Sequence, residues 1–431
     1  MVENPKIAVI GGGSTYTPEL IEGLGLRAQR LGIAEIALHD IDAGRLDVVG
    51  GLAERILRKQ GFAGRLVCTT DRARAIDGAA FVLVQLRVGG LAARLKDETI
   101  PPRFGCLGQE TTGAGGFAKA LRTVPVVLDI AADMGARGAD GAWLLDFTNP
   151  AGLVAQALID AGHRAIGLCN IPIGFQRQLA DRLGVTPDRV SLEHVGLNHL
   201  SWERGVHVDG VDRLPWLIET FADQLGEDVD MPGDLIRLQG AIPSYYLRYF
   251  YFPERTGADQ ATHPTRAEEV MRIEADLLEM YRDPALDVKP KLLEKRGGAF
   301  YSEAAAMLLE SLATDRGDTQ VVNVRNDGAI PNLAADAVVE VPCRIDAAGA
   351  HPLPQRPLPP DMLGLVSEVK AYERLTVAAA ISGDRDTAVR ALVANPLVRN
   401  FDTARPLLDA LLEAHREHLP QFAEYPVPGT G

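Results

Sequence analysis

Lys6-Ile7-Ala8-Val9-Ile10-Gly11-Gly12-Gly13-Ser14 is the stretch that decides the fold. Its first five residues form a short run rich in β-branched side chains, which is typical of a buried strand. Glycines follow the run directly, and the apolar residues after Pro18 have helical spacing. The stretch therefore predicts a strand, a glycine turn and a helix in succession.

The alternation of strand and helix continues beyond this first unit. A helix is predicted near Arg45 to Lys59, and further strands at Ala34 to Leu38, Leu66 to Thr69, Phe81 to Leu86, Ala142 to Leu145 and Ala165 to Leu168. Alternating units of this kind indicate an α/β fold with a doubly wound parallel sheet, which is a Rossmann-like domain. Such sheets bind ligands at the C-terminal ends of their strands, where this chain has Asn149 and Cys169.

The pattern changes near residue 190. Short alternating runs at Val190 to Val195 and Gly205 to Val208 are followed by helical patterns at Trp216 to Leu225 and Glu268 to Tyr281. Two late strands, Thr319 to Val324 and Ala337 to Val341, flank a turn. We therefore expect a nucleotide-binding domain over residues 1–190 and a mixed α+β catalytic domain over residues 191–431.

Composition excludes several classes of function. The 431 residues are 46% hydrophobic and 24% charged, and the formal charge of −14 opposes general binding to nucleic acid or to an anionic bilayer. No apolar run is long enough to span a membrane, and the N-terminus lacks the pattern of a secretory leader. The 4 cysteines are far apart, which suits free thiols in a reducing compartment. The expectation is a cytoplasmic protein without nucleic-acid or membrane partners.

The glycine turn is a candidate dinucleotide site. Gly11, Gly12, Gly13 and Ser14 allow a pyrophosphate to approach the backbone that opens the next helix. Asp40 ends the second predicted strand, where a carboxylate accepts hydrogen bonds from an adenosine ribose and repels the extra phosphate of NADP. The alternative is a plain strand-to-helix turn that uses glycine for its backbone freedom. Position, helix and Asp40 together favour NAD.

Cys169 and His199 are a candidate pair of metal ligands. Each comes just after a predicted strand, and a thiolate with an imidazole holds a divalent metal if the two loops converge. Buried cysteine is also a common core filler, and a single histidine is often structural. The spacing alone leaves both interpretations open.

A resemblance to a known family adds to these predictions. The motifs that carry it lie in order from residue 7 to Pro342. They are Ile7-Ala8-Val9-Ile10-Gly11-Gly12-Gly13-Ser14, Arg87-Val88-Gly89-Gly90, Gly108-Gln109-Glu110-Thr111-Thr112-Gly113, Phe147-Thr148-Asn149-Pro150, Cys169-Asn170, Gly196-Leu197-Asn198-His199 and Val339-Glu340-Val341-Pro342. With these motifs the chain resembles glycoside hydrolase family 4, most of all its 6-phospho-β-glucosidases.

The resemblance implies roles for particular residues. Cys169 and His199 become ligands of Mn²⁺ or another divalent metal, and Tyr246 becomes the catalytic base, although neighbouring tyrosines would by default be core packing. Substrate contacts fall on Arg94, Asn149 and Arg266, which would otherwise be surface charges and a turn residue. Asn170 stands where α-specific relatives tend to carry aspartate, which favours β-linked substrates. Glu110 is either a contact to sugar hydroxyls or an exposed loop carboxylate.

The implied activity is an NAD- and manganese-dependent glycoside hydrolysis. NAD oxidises the sugar at carbon 3, the base removes the acidified hydrogen from carbon 2, the aglycone leaves carbon 1, water adds and the hydride returns. The expected partner is a small glycoside, with a sugar 6-phosphate favoured, and the expected assembly is a homodimer or homotetramer.

Two other functions remain as alternatives. An NAD-dependent 2-hydroxy acid dehydrogenase has the same order of domains, as in lactate and malate dehydrogenases, with His199 as its acid and base. A nucleotide-sensing binding protein would need only the glycine turn.

Overall fold

The computed structural model describes residues 4–297 and 300–423. Its strands form one 13-stranded sheet. They are β1 (Lys6–Ile10), β2 (Glu35–His39), β3 (Arg65–Thr69), β4 (Phe81–Val84), β5 (Trp143–Asp146), β6 (Ala165–Gly167), β7 (Val190–Leu197), β8 (Leu200–Val208), β9 (Val211–Asp212), β10 (Ile242–Pro243), β11 (Asp318–Arg325), β12 (Val338–Asp346) and β13 (Gly349–Pro352).

Helices cover the sheet on both sides. They are α1 (Thr17–Gly25), α2 (Ala28–Leu31), α3 (Ala43–Lys59), α4 (Arg72–Ile76), α5 (Gly90–Thr99), α6 (Gly113–Arg137), α7 (Ala151–Asp160), α8 (Ile171–Leu183), α9 (Leu214–Asp228), α10 (Gly233–Gln239), α11 (Arg248–Tyr251), α12 (Pro253–Thr262), α13 (Arg266–Tyr281), α14 (Tyr301–Thr314), α15 (Pro360–Ser382), α16 (Arg385–Ala394) and α17 (Phe401–Ala414). Among the helices of residues 4–297 and 300–423, none is both long and apolar enough to cross a bilayer.

The first half of the sheet is parallel, with strands in the order β3-β2-β1-β4-β5-β6. This is the order of a doubly wound nucleotide-binding domain, so the predicted α/β class is confirmed. The strands read as continuous apolar runs because helices cover both faces; β4, Phe-Val-Leu-Val, is buried throughout. Each predicted strand of this half coincides with an observed one to within two residues at either end.

The second half is antiparallel and continues the same sheet in the order β11-β12-β7-β8-β10. Two of its strand contacts consist of a single register pair. Asn323 on β11 pairs with Gly167 on β6, and Glu340 on β12 pairs with Gly196 on β7. All parallel strands precede residue 190 and all antiparallel ones begin at or after it. The division into two domains at that residue stays a prediction, and the sheet itself runs through both halves.

A cleft of about 2530 Å³ opens where the strands of the two halves end. Its walls come from the loops after β1, β4, β5 and β6, and from the chain between β10 and α13. This is the edge at which open parallel sheets bind ligands.

Candidate active site

Most of the predicted site residues line this one cleft. They are Gly11, Gly13, Ser14, Asp40, Arg94, Glu110, Asn149, Asn170, Tyr246 and Arg266. Gly12 packs behind the turn against Leu38 of β2. Cys169 and His199 do not line the cleft but are buried beside it, with 3% and 5% of their surfaces exposed, next to Asn170 and Tyr246 respectively. Residues from both halves of the sheet therefore share one site.

The glycine turn is shaped by close contacts that exclude side chains. Gly11 has a φ of +91°, and a Cβ there would lie 2.8 Å from the carbonyl oxygen of Gln85. A Cβ on Gly13 would lie 2.8 Å from Oδ2 of Asp40. Side chains at these positions would collide with the protein's own atoms, so glycine lets the turn lie flat against its neighbours, a shape that fits the close approach of a dinucleotide.

Asp40 has a structural task as well as the predicted one. Its Oδ2 accepts the Gly13 amide at 2.9 Å, while the amides of Gly11 and Gly12 donate to the carbonyl of His39 at 2.9 and 2.7 Å. These amides hold the turn against β2 rather than pointing into the cleft. Asp40 still lines the cleft, where a ribose can meet it.

His199 lies in the turn between β7 and β8 with a φ of +63°, an uncommon conformation for a residue with a side chain. Its Nδ1 is 3.0 Å from Oγ1 of Thr111, which leaves Nε2 for another partner. Burial lowers the pKa of His199 to about 4, so the imidazole is neutral near pH 7. A neutral, oriented imidazole is the form that ligates metals.

Cys169 follows β6, and its Sγ accepts the Ile171 amide at 3.5 Å. The Asn198 side chain, next to His199 in the chain, lies near enough to this thiol to act on its pKa, so the two predicted ligand loops are close together. Burial raises the pKa of the Cys169 thiol well above its usual range. Within the described residues no group of three or more His, Cys, Asp or Glu side chains forms a complete metal cage. A thiol and an imidazole fit a divalent metal whose other positions stay open to substrate.

Tyr246 stacks on His199, with ring centroids 3.7 Å apart and ring planes 6° apart. It lies in a short 3₁₀ turn, Tyr245–Leu247, that follows β10. Burial, together with the nearby Cys169, raises the pKa of Tyr246 well above its usual range. Tyr245 packs edge-on against it and is 36% exposed, whereas Tyr249 is buried beside both. The aromatic cluster thus places Tyr246 next to the predicted metal ligands.

Glu110 lies within a cationic group. Its carboxylate pairs with Arg87, with Arg94 at 3.0 Å and with Lys119 at 2.8 Å, and it is 8% exposed, so it is not an exposed loop residue. Burial alone would raise the pKa of Glu110, but Arg87, Lys119 and Arg94 hold it well below its usual range. Burial and the neighbouring Arg87 lower the pKa of Lys119 to about 7.

The other predicted substrate residues lie around the cleft. Asn149 has a buried Oδ1 without a hydrogen-bond partner in the described part of the chain, as expected of a group that awaits a ligand. Asn170 lines the cleft just before α8. Arg266 opens α13, where its Nη1 pairs with Glu269 and its Nη2 donates to the Lys295 carbonyl, both at 2.8 Å.

Sequence reasoning missed several residues of this site. Arg87, Thr111 and Asn198 lie inside motifs that carried the resemblance, so their positions were visible but not their contacts. Lys119 gave no signal, because it lies in α6 within a helical pattern and meets Glu110 only in the fold.

The fold and the site define a class of protein. The cleft has a dinucleotide-type turn and a cationic wall, and a buried thiol, imidazole and phenol lie in or beside it. These are the parts of a dinucleotide-dependent enzyme with a second site suited to a metal.

Comparison with known proteins identifies the family. Residues 6–185 match the model of family 4 glycosyl hydrolases, and residues 194–398 match the model of the C-terminal domain of that family. The chain belongs to glycosyl hydrolase family 4. The prediction of an NAD-dependent glycoside hydrolase is therefore confirmed, and the dehydrogenase alternative is not favoured.

Individual relatives agree over the whole length of the chain. A probable 6-phospho-β-glucosidase of Bacillus subtilis is 42% identical over 437 residues, covering 98% of this chain and 99% of the relative. The solved 6-phospho-β-glucosidase of Thermotoga maritima, with manganese, NAD⁺ and glucose-6-phosphate, is 37% identical, with a TM-score of 0.91 over 96% of this chain and 99% of that one.

A dehydrogenase shares the fold alone. Malate dehydrogenase of Plasmodium falciparum, solved with NADH, is 14% identical, with a TM-score of 0.51 over 87% of this chain and 98% of that one. The predicted dehydrogenase-like arrangement is thereby confirmed as architecture.

Proposed function

We propose that this enzyme hydrolyses 6-phosphorylated β-glucosides, using NAD and a divalent metal, with Tyr246 as base. The observation that carries the proposal is the stack of Tyr246 on His199 beside the Cys169 loop, in the cleft that begins at the glycine turn. The relatives named as 6-phospho-β-glucosidases support the substrate class.

Each group has a task in this scheme. NAD, when bound, takes the hydride from carbon 3 and returns it, and the metal stabilises negative charge on the neighbouring oxygens. Cys169 and His199 would hold the metal. Tyr246 removes the proton from carbon 2, and its phenol has a high pKa in the metal-free protein, so it needs the positive charge of the loaded site to act near pH 7.

The cleft wall supplies binding and orientation. Arg94 and Glu110, fixed to each other at 3.0 Å, present charged groups to sugar hydroxyls, and the free Oδ1 of Asn149 accepts a hydrogen bond from substrate. Arg266, half-exposed at the start of α13, meets the remote phosphate. Binding energy from that phosphate aligns the reacting carbons. Asn170 supplies no carboxylic proton at its position, which suits the β-linked branch.

We also propose that the protein works in the cytoplasm as a homodimer or homotetramer. Cys68, Cys106, Cys169 and Cys343 are unpaired in the described residues, and a thiol ligand such as Cys169 needs a reducing compartment. Light scattering of the purified protein at several concentrations measures the number of protomers.

The deciding experiment is a panel of nitrophenyl glycosides, with and without a 6-phosphate, assayed with NAD, Mn²⁺ and reductant. We expect turnover of the 6-phospho-β-glucoside, dependent on NAD and metal, without net NADH. NADH accumulating in step with product would instead support a dehydrogenase. Bound NAD without turnover of any glycoside would support a sensing protein.

A further inference from the structure

A row of register partners crosses the sheet beneath the predicted metal ligands. Gly167 on β6 pairs with Asn323 on β11, Asn323 pairs with Glu340 on β12, and Glu340 pairs with Gly196 on β7. Cys169 comes two positions after the first of these residues and Asn198 two positions after the last. The segments that carry the two ligands are thus attached to opposite ends of one row.

Glu340 is the centre of a buried polar cluster in this row. Its Oε1 accepts from Nδ2 of Asn323 at 2.8 Å and from Nδ2 of Asn198 at 3.1 Å, and its Oε2 accepts from Nε2 of His194 at 3.0 Å. His194 reaches Oε1 of Glu203 with its other nitrogen at 2.6 Å. Glu340 is 1% exposed, and His194, Glu203 and Asn323 are fully buried. None of the four lines the substrate cleft.

Both ends of the row are glycines in close contact with their surroundings. A Cβ on Gly167 would lie 2.9 Å from Cβ of Asn323, and one on Gly196 would lie 2.2 Å from the Leu200 carbonyl oxygen. Gly196 also has a φ of +144°, just before the turn that holds His199. Gly167 therefore makes room for Asn323, and Gly196 allows the tight return of the chain from β7 into β8.

Burying a carboxylate costs free energy, so a buried carboxylate points to a role for its charge. Burial raises the pKa of Glu340, but hydrogen bonds from His194, Asn198 and Asn323 outweigh this and keep it lower than usual, so the group is ionised near pH 7. Replacing such clusters by apolar residues often stabilises a protein, which makes stability a weak reason for one. Ligands of metals commonly rest on an outer layer of hydrogen-bonded carboxylates that orients them and adds negative charge.

We propose that Glu340 is the positioning residue of the metal centre: through Asn323 and Asn198 it sets the Cys169 loop against the His199 turn and adds a fixed negative charge behind them. Asn198 carries the link, since its Nδ2 donates to Glu340 at 3.1 Å and the residue directly precedes His199. The inference rests on the proposed metal site.

The test measures manganese binding directly, by the electron paramagnetic resonance signal of free Mn²⁺ in titrations of the full-length protein. Glu340→Gln keeps the size of the side chain and removes its charge, and we expect its affinity for Mn²⁺ to fall roughly 10- to 100-fold. The low-temperature spectrum of the remaining bound Mn²⁺ should change shape, and NAD affinity should stay within about twofold. Manganese affinity within twofold of the wild type would overturn the proposal.

Two further variants keep the result interpretable. Glu310→Gln is the matched control, because Glu310 is also a buried ion-paired carboxylate, 4% exposed, but pairs with Arg27 and Arg30 far from the site; it should leave manganese affinity unchanged. Asn323→Ala keeps the Glu340 charge and the strand pairing but removes the side-chain hydrogen bonds from Asn323 to Glu340 and to the Gly167 carbonyl, and it decides the matter if Glu340→Gln does not fold. We expect a smaller loss from it, about 3- to 10-fold, and no loss would overturn the positioning role.

Cys169→Ser separates the two proposals. If it abolishes manganese binding while Glu340→Gln does not, the metal site stands and the role of Glu340 is wrong. If Cys169→Ser retains manganese binding, the metal site itself is wrong.

Discussion

Tyr246 and His199 lie face to face, with ring centroids 3.7 Å apart. The contact couples the proposed base to a proposed metal ligand, so any shift of one ring moves the other. Tyr246 also lies in the electrostatic reach of Cys169 and Glu110, both of which raise its pKa, and of Arg94, which lowers it. The reactivity of the phenol therefore depends on the charges that surround it.

Replacing Tyr246 by phenylalanine should remove the base and keep the stack. The ring and its contact with His199 remain, so folding and NAD affinity should persist, while turnover should fall roughly 10²- to 10⁴-fold. Tyr245→Phe is the control on the neighbouring, partly exposed ring. Product formed by the wild type in D₂O should carry deuterium at carbon 2, and its absence would contradict both the elimination and the base.

Replacing Cys169 by serine should abolish metal-dependent turnover with little change in NAD affinity. Serine keeps the size of the side chain but is a poor ligand for Mn²⁺ in place of a thiolate. Cys343→Ser is the matched control, since Cys343 is a fully buried free thiol on β12 whose Sγ donates to the Val341 carbonyl at 3.4 Å. Metal content by mass spectrometry and steady-state rate are measured together; survival of both in the Cys169 variant would make that thiol structural.

Asp40 should set the choice between NAD and NADP. Asp40→Asn keeps an oxygen for the Gly13 amide but removes the charge, so NAD affinity should fall about 10- to 100-fold while NADP gains relative to NAD. Asp42→Asn is the control, because Asp42 caps α3 and asparagine caps almost as well. Fluorescence titrations with both dinucleotides measure the ratio, and an unchanged ratio would count against the role of Asp40.

The sequence predicted the elements of the fold better than the contacts of the site. The sequence predicts strand β8 only over Gly205 to Val208, whereas the strand begins at Leu200. Its first half contains Glu203 and Arg204, whose charges are typical of exposed residues although both are buried in the fold. The ion pair of Lys119 with Glu110 joins a helix to a loop, so no periodic pattern in the sequence indicates it. Glycines and runs of β-branched residues predict local structure. The partners of buried charges depend instead on which strands and helices become neighbours in the fold, and the sequence pattern does not show this.

Arg266 should act on the phosphate of the substrate. Arg266→Gln removes the charge at the start of α13, so KM for the 6-phosphorylated glucoside should rise about 10- to 100-fold with a smaller change in kcat. Arg272→Gln, on the same helix but outside the cleft, is the matched control. Equal effects on phosphorylated and unphosphorylated glycosides would show that Arg266 does not read the phosphate.

His194 should make the free energy of unfolding fall at alkaline pH. Burial lowers its pKa, but the Glu203 and Glu340 carboxylates outweigh this and raise the pKa to about 10. The stabilisation is fully present below the unfolded pKa near 6.5 and is lost as pH rises through about 10. His194→Gln should cost about 3–5 kcal/mol at pH 7, since it leaves buried carboxylates without their cation.

Thermal unfolding of both proteins between pH 6 and 10.5 checks this. The difference between their midpoints should shrink as pH rises. His207→Gln is the control, because His207 meets Glu193 in a half-buried pair on the same strand as Glu203. A constant difference across the range would mean that His194 is neutral in the folded protein.

The sheet that runs through both halves decides how the chain can be divided. Cutting the chain at residue 190 would strip β11 from β6 and turn Ala165–Gly167, buried throughout, into a bare edge with unpaired amides and carbonyls. Such an edge recruits strands from other molecules, so the first 190 residues made alone should aggregate. The parallel and antiparallel halves are therefore joined through one shared sheet, so an exchange of either half between relatives has to carry the strand with which it pairs.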